Sequence, residues 1–153
     1  MIRVERAGLA DARELTRISW KSFEYDINYG APGIGGPPGY KSILWQRMLI
    51  QRAKYFKILY DERIIGGFIV FSKENGHYEL GRIFVDPDYQ NQGIGTKALE
   101  YMEELFPEAK KWRLGTPRWN RRTHHFYEKT GYTRVGEDEN FGYLYEKQKG
   151  FGE

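Results

Sequence analysis

With 153 residues, 40% of them hydrophobic and 16% aromatic, the chain is long enough for one sizeable core and too apolar to stay disordered. Its 24 basic and 21 acidic residues leave a net charge of +3, which argues against the concentrated basic stripe of a nucleic-acid binder. The lack of cysteine excludes disulfides, thiolate metal sites and a covalent cysteine mechanism.

The segment from Ile2 to Ala7 alternates apolar and polar residues and predicts a first strand. Its setting, MIRVERAGLADARELTRI, carries no apolar core of signal-peptide type. No run approaches the ~18 apolar residues of a membrane span. The expectation is a cytoplasmic protein in a reducing compartment, with neither a membrane nor a nucleic acid as partner. Leu9, Ala12, Leu15, Ile18, Phe23 and Ile27 recur at helical spacing and predict a helix over 9–27. Gly30 to Tyr40 then holds five glycines and three prolines in its first ten residues, which forbids a regular element. Too little chain precedes it for an independent core, so it reads as a long ordered loop.

YKSILWQRMLIQRA predicts a second helix. YFKILYD and RIIGGFIVFSKE predict two strands joined at Asp61-Glu62, and Asn75-Gly76 turns the chain into a third, HYELGRIFVDP. Ile94, Ala98, Leu99, Met102, Leu105 and Phe106 mark one face of a helix, with Pro107 among its stop signals. KKWRLGT predicts a short strand, and Asn120 and Gly131 bracket a fourth helix. TRVGEDENFGYLYEK predicts two strands around a polar turn. The fold class is therefore α/β (α+β), in one domain over residues 1–148 with a flexible tail at 149–153.

The stretch Gln90-Asn91-Gln92-Gly93-Ile94-Gly95-Thr96 sits where a helix begins. The first amides of a helix lack intrahelical partners and lie at the positive end of its dipole, so glycines there suit a phosphate. A Walker loop does not fit, because Thr96-Lys97 reverses the required order. GIGTKA does match a dinucleotide fingerprint, yet the preceding strand stops several residues early at Pro87.

A third design fits better. Gln90 to Gly95 resembles the Q/R-x-x-G-x-G/A signature of the GCN5-related N-acetyltransferases, the GNAT family. YELGRIFVDPDYQNQGIGTKALEYMEE and WRLGTPRWNRRTHHFYEKTGYTRVGE are similar to that family's strand–loop–helix and strand–helix–strand segments, so the resemblance covers about residues 64–137. It implies a mixed, mostly antiparallel sheet of about seven strands flanked by four helices and split between strands four and five. It implies acetyl-CoA as co-substrate, with no metal.

Residue by residue, the resemblance implies that backbone amides of Gln92, Gly93, Ile94, Gly95 and Thr96 grip the pyrophosphate. Gln90 shapes that loop or contacts phosphate, Asn91 is a further cofactor-binding residue of it, and Ile83, Phe84 and Val85 pair with pantetheine like an added strand. Asn120 contacts pantetheine, and Tyr127 stands by the thioester sulfur as the general acid. Lys97, Arg121 and Arg122 lie within reach of the phosphates. Glu79 matches a strand-four glutamate that serves as base in the histone-acetylating branch. It precedes Ile83 by four residues, about 13 Å of extended strand, so a water chain or a bulge is needed between them. Histidines 77, 124 and 125 are alternative bases without metal-ligand spacing. Tyr25, Asp26, Tyr29 and Tyr40 flank the Gly/Pro loop that walls the acceptor cleft. Aromatic faces with a carboxylate suit a cationic amine, small or peptidic. A non-catalytic acyl-CoA sensor and a homodimer both stay open.

Overall fold

The computed structural model describes residues 1–140 and 142–149. The elements run β1 (Ile2–Arg6), α1 (Ala12–Glu24), α2 (Ile43–Arg52), β2 (Lys54–Tyr60), β3 (Arg63–Ser72) and β4 (His77–Val85). There follow α3 (Ile94–Leu105), β5 (Lys111–Thr116), α4 (Arg121–Lys129), β6 (Thr133–Asp138) and β7 (Gly142–Gln148). The strands form one seven-stranded sheet in the order β1-β2-β3-β4-β5-β7-β6. Only β4 and β5 are parallel neighbours, and α3 makes the crossover between them. The mixed, mostly antiparallel sheet with four helices is the fold class that the sequence predicts.

The joints follow local chemistry. Asp61 and Glu62 take φ of +47° and +72°, the mirror-type turn that matches strand twist. Asn75 and Gly76 take +61° and +75°, and the Lys73 amide reaches the His77 carbonyl at 2.7 Å. The first predicted helix is shorter than its periodicity suggests. It covers Ala12–Glu24, with 3-10 turns at Leu9–Asp11 and Tyr25–Tyr29. Gly8 donates its amide to the Asp11 carboxylate at 2.8 Å, and Gly30 stops the chain at φ +98°. Periodicity alone does not separate such tight turns from a helix.

Each face of the sheet carries a core. On one, Leu15 and Ile18 of α1 and Leu49 and Ile50 of α2 close over Tyr55, Ile69 and Phe84. On the other, Ile94, Ala98, Leu99 and Met102 of α3 and Tyr127 of α4 close over Phe68, Leu80, Trp112 and Tyr145. No helix among the described residues is long and apolar enough to cross a membrane. Of the expected tail, only Lys149 lies among the described residues; its amide donates to the Lys110 carbonyl at 2.8 Å.

Two features of β4 position the site. Its pairing with β5 covers His77–Lys111, Tyr78–Trp112 and Glu79–Arg113, and goes no further. Beyond Glu79, β4 stays with β3 to Val85 while β5 stays with β7 to Thr116, so the sheet forks. The second feature is a bulge. Ile69 faces Arg82 while Val70 faces Leu80, leaving Gly81 as the extra residue. A Cβ on Gly81 would collide with the Phe71 ring. Gly81→Ala is expected to cost about 1–3 kcal/mol by overpacking, read by urea denaturation of the two proteins.

Candidate functional site

The fork exposes one edge of β4, and the register decides which groups it shows. The Asp86 amide donates to the Ile65 carbonyl of β3 at 2.7 Å. Strand alternation then turns the backbone of Phe84 toward β3 as well, and that of Ile83 and Val85 into the fork. The expected three-residue edge reduces to Ile83 and Val85. Phe84 turns its backbone to β3 and its ring into the core under α1 and α2.

The loop after β4 is pinned before it reaches α3. Asp86 is 6% exposed, and its Oδ1 accepts from the Asp88 amide at 2.9 Å and lies 2.9 Å from Lys21 Nζ. Gln90 donates from Nε2 to the Val85 carbonyl at 2.9 Å and accepts at Oε1 from Arg122 Nη1 at 2.7 Å. Asn91 and Gly93 then adopt φ of +61° and +77°. Gly93 is the N-cap of α3, and no side chain among the described residues caps it. The first helical bond runs from the Lys97 amide to the Gly93 carbonyl at 3.0 Å. The amides of Ile94, Gly95 and Thr96 therefore project from the helix end as free donors. Ile94 is buried and fixes this turn, and a Cβ on Gly95 would sit 3.1 Å from the Phe126 ring of α4.

Across the fork, α4 begins at Asn120, whose Oδ1 accepts from the Thr123 amide at 3.3 Å. The Thr123 hydroxyl pairs with that of Thr116 on β5 at 2.7 Å, which ties the helix start to the strand. Asn120 and Tyr127 are both buried, seven residues apart on one face. The Tyr127 ring packs against Phe126, Tyr132 and Tyr145 at centroid distances of 5.1, 5.7 and 6.3 Å. Its hydroxyl has no hydrogen-bond partner among the described residues. Burial pushes the phenol well above its ordinary pKa.

The residues expected on the acceptor side are drawn into local networks. Arg122 donates from Nη2 to Asp26 Oδ1 at 2.8 Å, and its guanidinium lies 4.1 Å from the Tyr29 ring centroid. One arginine thus links α4, the Gln90 loop and the turn after α1. Burial raises the Asp26 carboxyl pKa, and Arg122 opposes that shift. Tyr25 packs on Tyr29 at 5.8 Å, and the Tyr40 hydroxyl donates to Glu24 at 2.7 Å. Lys97 lies 3.9 Å from Glu100 on the exposed side of α3. Removing Arg122 strands a half-hidden carboxylate, so Arg122→Met is expected to cost about 1–3 kcal/mol, with Asp26→Asn less damaging. Urea midpoints of both variants check the order.

Glu79 stands at the tip of the fork, and its side chain has no hydrogen bond or ion pair among the described residues. Among those residues, no three His, Asp or Glu side chains are grouped to hold a metal ion. Sequence reasoning missed Arg82, which lies over the Trp45 ring at 4.3 Å and near Phe23 at 5.8 Å. Its signal was a lone arginine between a glycine and an apolar strand end, in GRIFV.

Known proteins match this arrangement. Residues 12–132 match the model of the acetyltransferase (GNAT) family. An uncharacterized Bacillus subtilis protein, YrkN, is 33% identical over 76 residues, which span 49% of this chain and 41% of that protein. The PaiA N-acetyltransferase of Thermoplasma acidophilum, solved with coenzyme A, superposes with a TM-score of 0.83 at 19% identity, covering 97% of this chain and 99% of that one. An acetyltransferase of Thermus thermophilus gives 0.82 at 14% identity, covering 97% of both chains. The ribosomal-protein-S18-alanine N-acetyltransferase of Escherichia coli gives 0.71 at 15%, covering 97% and 94%.

Proposed function

Because this chain belongs to the acetyltransferase (GNAT) family, we propose that it moves an acetyl group from acetyl-CoA to a primary amine by direct attack. The observation that carries this reading is the forked sheet, with free α3 amides after the end of β4 and Tyr127 of α4 in the core that α3 and α4 share. The amides of Ile94, Gly95 and Thr96 receive the pyrophosphate, and Ile83 and Val85 offer backbone groups to pantetheine. Gln90 already holds the Val85 carbonyl, so pairing there displaces the Gln90 amide or is confined to Ile83. That a solved neighbour holds coenzyme A supports this placement.

Chemistry follows from positioning. The neutral amine attacks the thioester carbonyl, whose oxygen is polarised by a backbone amide in the Ile83 region. The C–S bond breaks, Tyr127 donates a proton to the departing sulfur, and the proton shed by the nitrogen passes through water to restore the phenol. A phenol raised by burial stays protonated at neutral pH, so the proton to be donated is in place. Glu79, free of other partners, is the group placed to draw the proton from an incoming ammonium through water. The acceptor is a small-molecule or peptide amine.

Calorimetry with acetyl-CoA, followed by thiol release across an amine panel, tests this. Tight CoA binding with turnover on at least one amine is expected. Binding without turnover on any amine would instead make the chain a non-catalytic acyl-CoA sensor.

A further inference from the structure

Arg82 is a charged side chain on the face of β4 that meets α1 and α2. The Gly81 bulge sets this direction: Tyr78 and Leu80 before it, and Ile83 and Val85 after it, all belong to the opposite core. The guanidinium lies 4.3 Å from the Trp45 ring centroid and 5.8 Å from that of Phe23, and its Nη1 is buried without a hydrogen-bond partner. No carboxylate pairs with it among the described residues. The titratable group that acts on it is Tyr55, a buried phenol bonded to Gln46 and held neutral by its own raised pKa. Burial pushes Arg82 down to about 10, so it remains a cation at neutral pH.

A desolvated guanidinium without an anion is costly in the free protein, and an arriving carboxylate offsets that cost. The Trp45 ring lies against the guanidinium, and the unpartnered Nη1 is a donor that an arriving carboxylate would satisfy. On the same face, across the bulge, Glu79 likewise has no partner. The two groups do not pair with each other. A ligand carrying both an ammonium and a carboxylate meets an opposite charge at each end. A polycation meets repulsion at Arg82.

Resting on the acetyltransferase reading above, we propose that Arg82 binds the acidic group of the acceptor, and that the acceptor is an amine carrying a carboxylate. The test compares glycine, β-alanine, glutamate and 6-aminohexanoate with their carboxamides, alongside 2-aminoethyl phosphate and spermidine. At least one acid is expected to exceed its carboxamide in kcat/KM by about 10²-fold, the scale of a buried charge pair. Arg82→Gln should bring that ratio to within about 3-fold by raising KM for the acid alone, with acetyl-CoA affinity unchanged. Arg82→Lys keeps the charge and serves as the second variant if the glutamine protein does not fold; it should retain the preference at reduced strength. A ratio unchanged in Arg82→Gln overturns the proposal, as does a wild-type preference for spermidine, the carboxamides or the phosphate. If CoA binds but no amine is turned over, the acetyltransferase reading fails separately. Calorimetry of the same acids on CoA-saturated wild type and Arg82→Gln then decides: binding lost in the variant supports Arg82, and no wild-type binding overturns it.

Discussion

Changing Tyr127 to phenylalanine is expected to lower turnover by about 10²-fold or more, the usual scale of general acid catalysis, while acetyl-CoA affinity stays within about 2-fold. The substitution removes one oxygen and no ring contact. The ring keeps its neighbours Phe126, Tyr132 and Tyr145, which the substitution leaves in place. The lost hydroxyl has no hydrogen-bond partner among the described residues, so no buried group is orphaned. Stability should therefore move by less than about 1 kcal/mol, which separates a chemical effect from a folding one. The pH profile sharpens the test. Burial raises the phenol pKa above its ordinary value, near 10 for free tyrosine. The acid stays protonated as pH rises, so the rate climbs with amine deprotonation and shows no falling limb below about pH 10. A falling limb near pH 8 would point to a different acid, and an unchanged rate in the variant would remove Tyr127 from the chemistry.

Local features of this chain were legible from sequence, and pairings across long separations were not. Asp61-Glu62 and Asn75-Gly76 announce their turns because the backbone they need is a property of two residues. The pairing of β7 with β5, from Lys111–Gln148 to Thr116–Tyr143, joins residues far apart in the chain, and no local pattern encodes it. The bulge at Gly81 is similar: the glycine is visible, but the Phe71 ring that demands it lies on the neighbouring strand. At the site, the Gln90–Gly95 stretch was readable because helix starts and positive φ are local chemistry. The partnership of Asp26 with Arg122 bridges 96 positions. The family resemblance put Asp26 in the expected acceptor wall, and the structure gives its carboxylate to an arginine of α4. Arg82 was overlooked because a strand arginine looks solvated until its stacking partners on α1 and α2 are known.

The two glycine-rich stretches look alike in composition and should respond oppositely to alanine. Gly93→Ala is expected to weaken acetyl-CoA binding by about 10²-fold, whereas Gly33→Ala should leave it unchanged. At Gly93 the φ of +77° is the point. A side chain there strains the turn by about 1–2 kcal/mol, and relaxing that strain re-aims the amides of Ile94, Gly95 and Thr96. Losing two charge-assisted hydrogen bonds at about 1.5 kcal/mol each is about 3 kcal/mol, or roughly 10²-fold in affinity. No atom outside the adjoining residues lies within 4 Å of a Cβ at Gly93, so crowding by the rest of the protein is not the cause. Gly33 also has open space around a Cβ, but its φ is not in the left-handed range. In that second stretch, Gly36 and Gly39 make room for the Tyr40 and Trp45 rings, which is packing of the loop against α1 and α2 and not anion binding. Calorimetry on both variants decides the matter. Equal losses would mean that glycine content, and not the helix start at Gly93, governs the cofactor site.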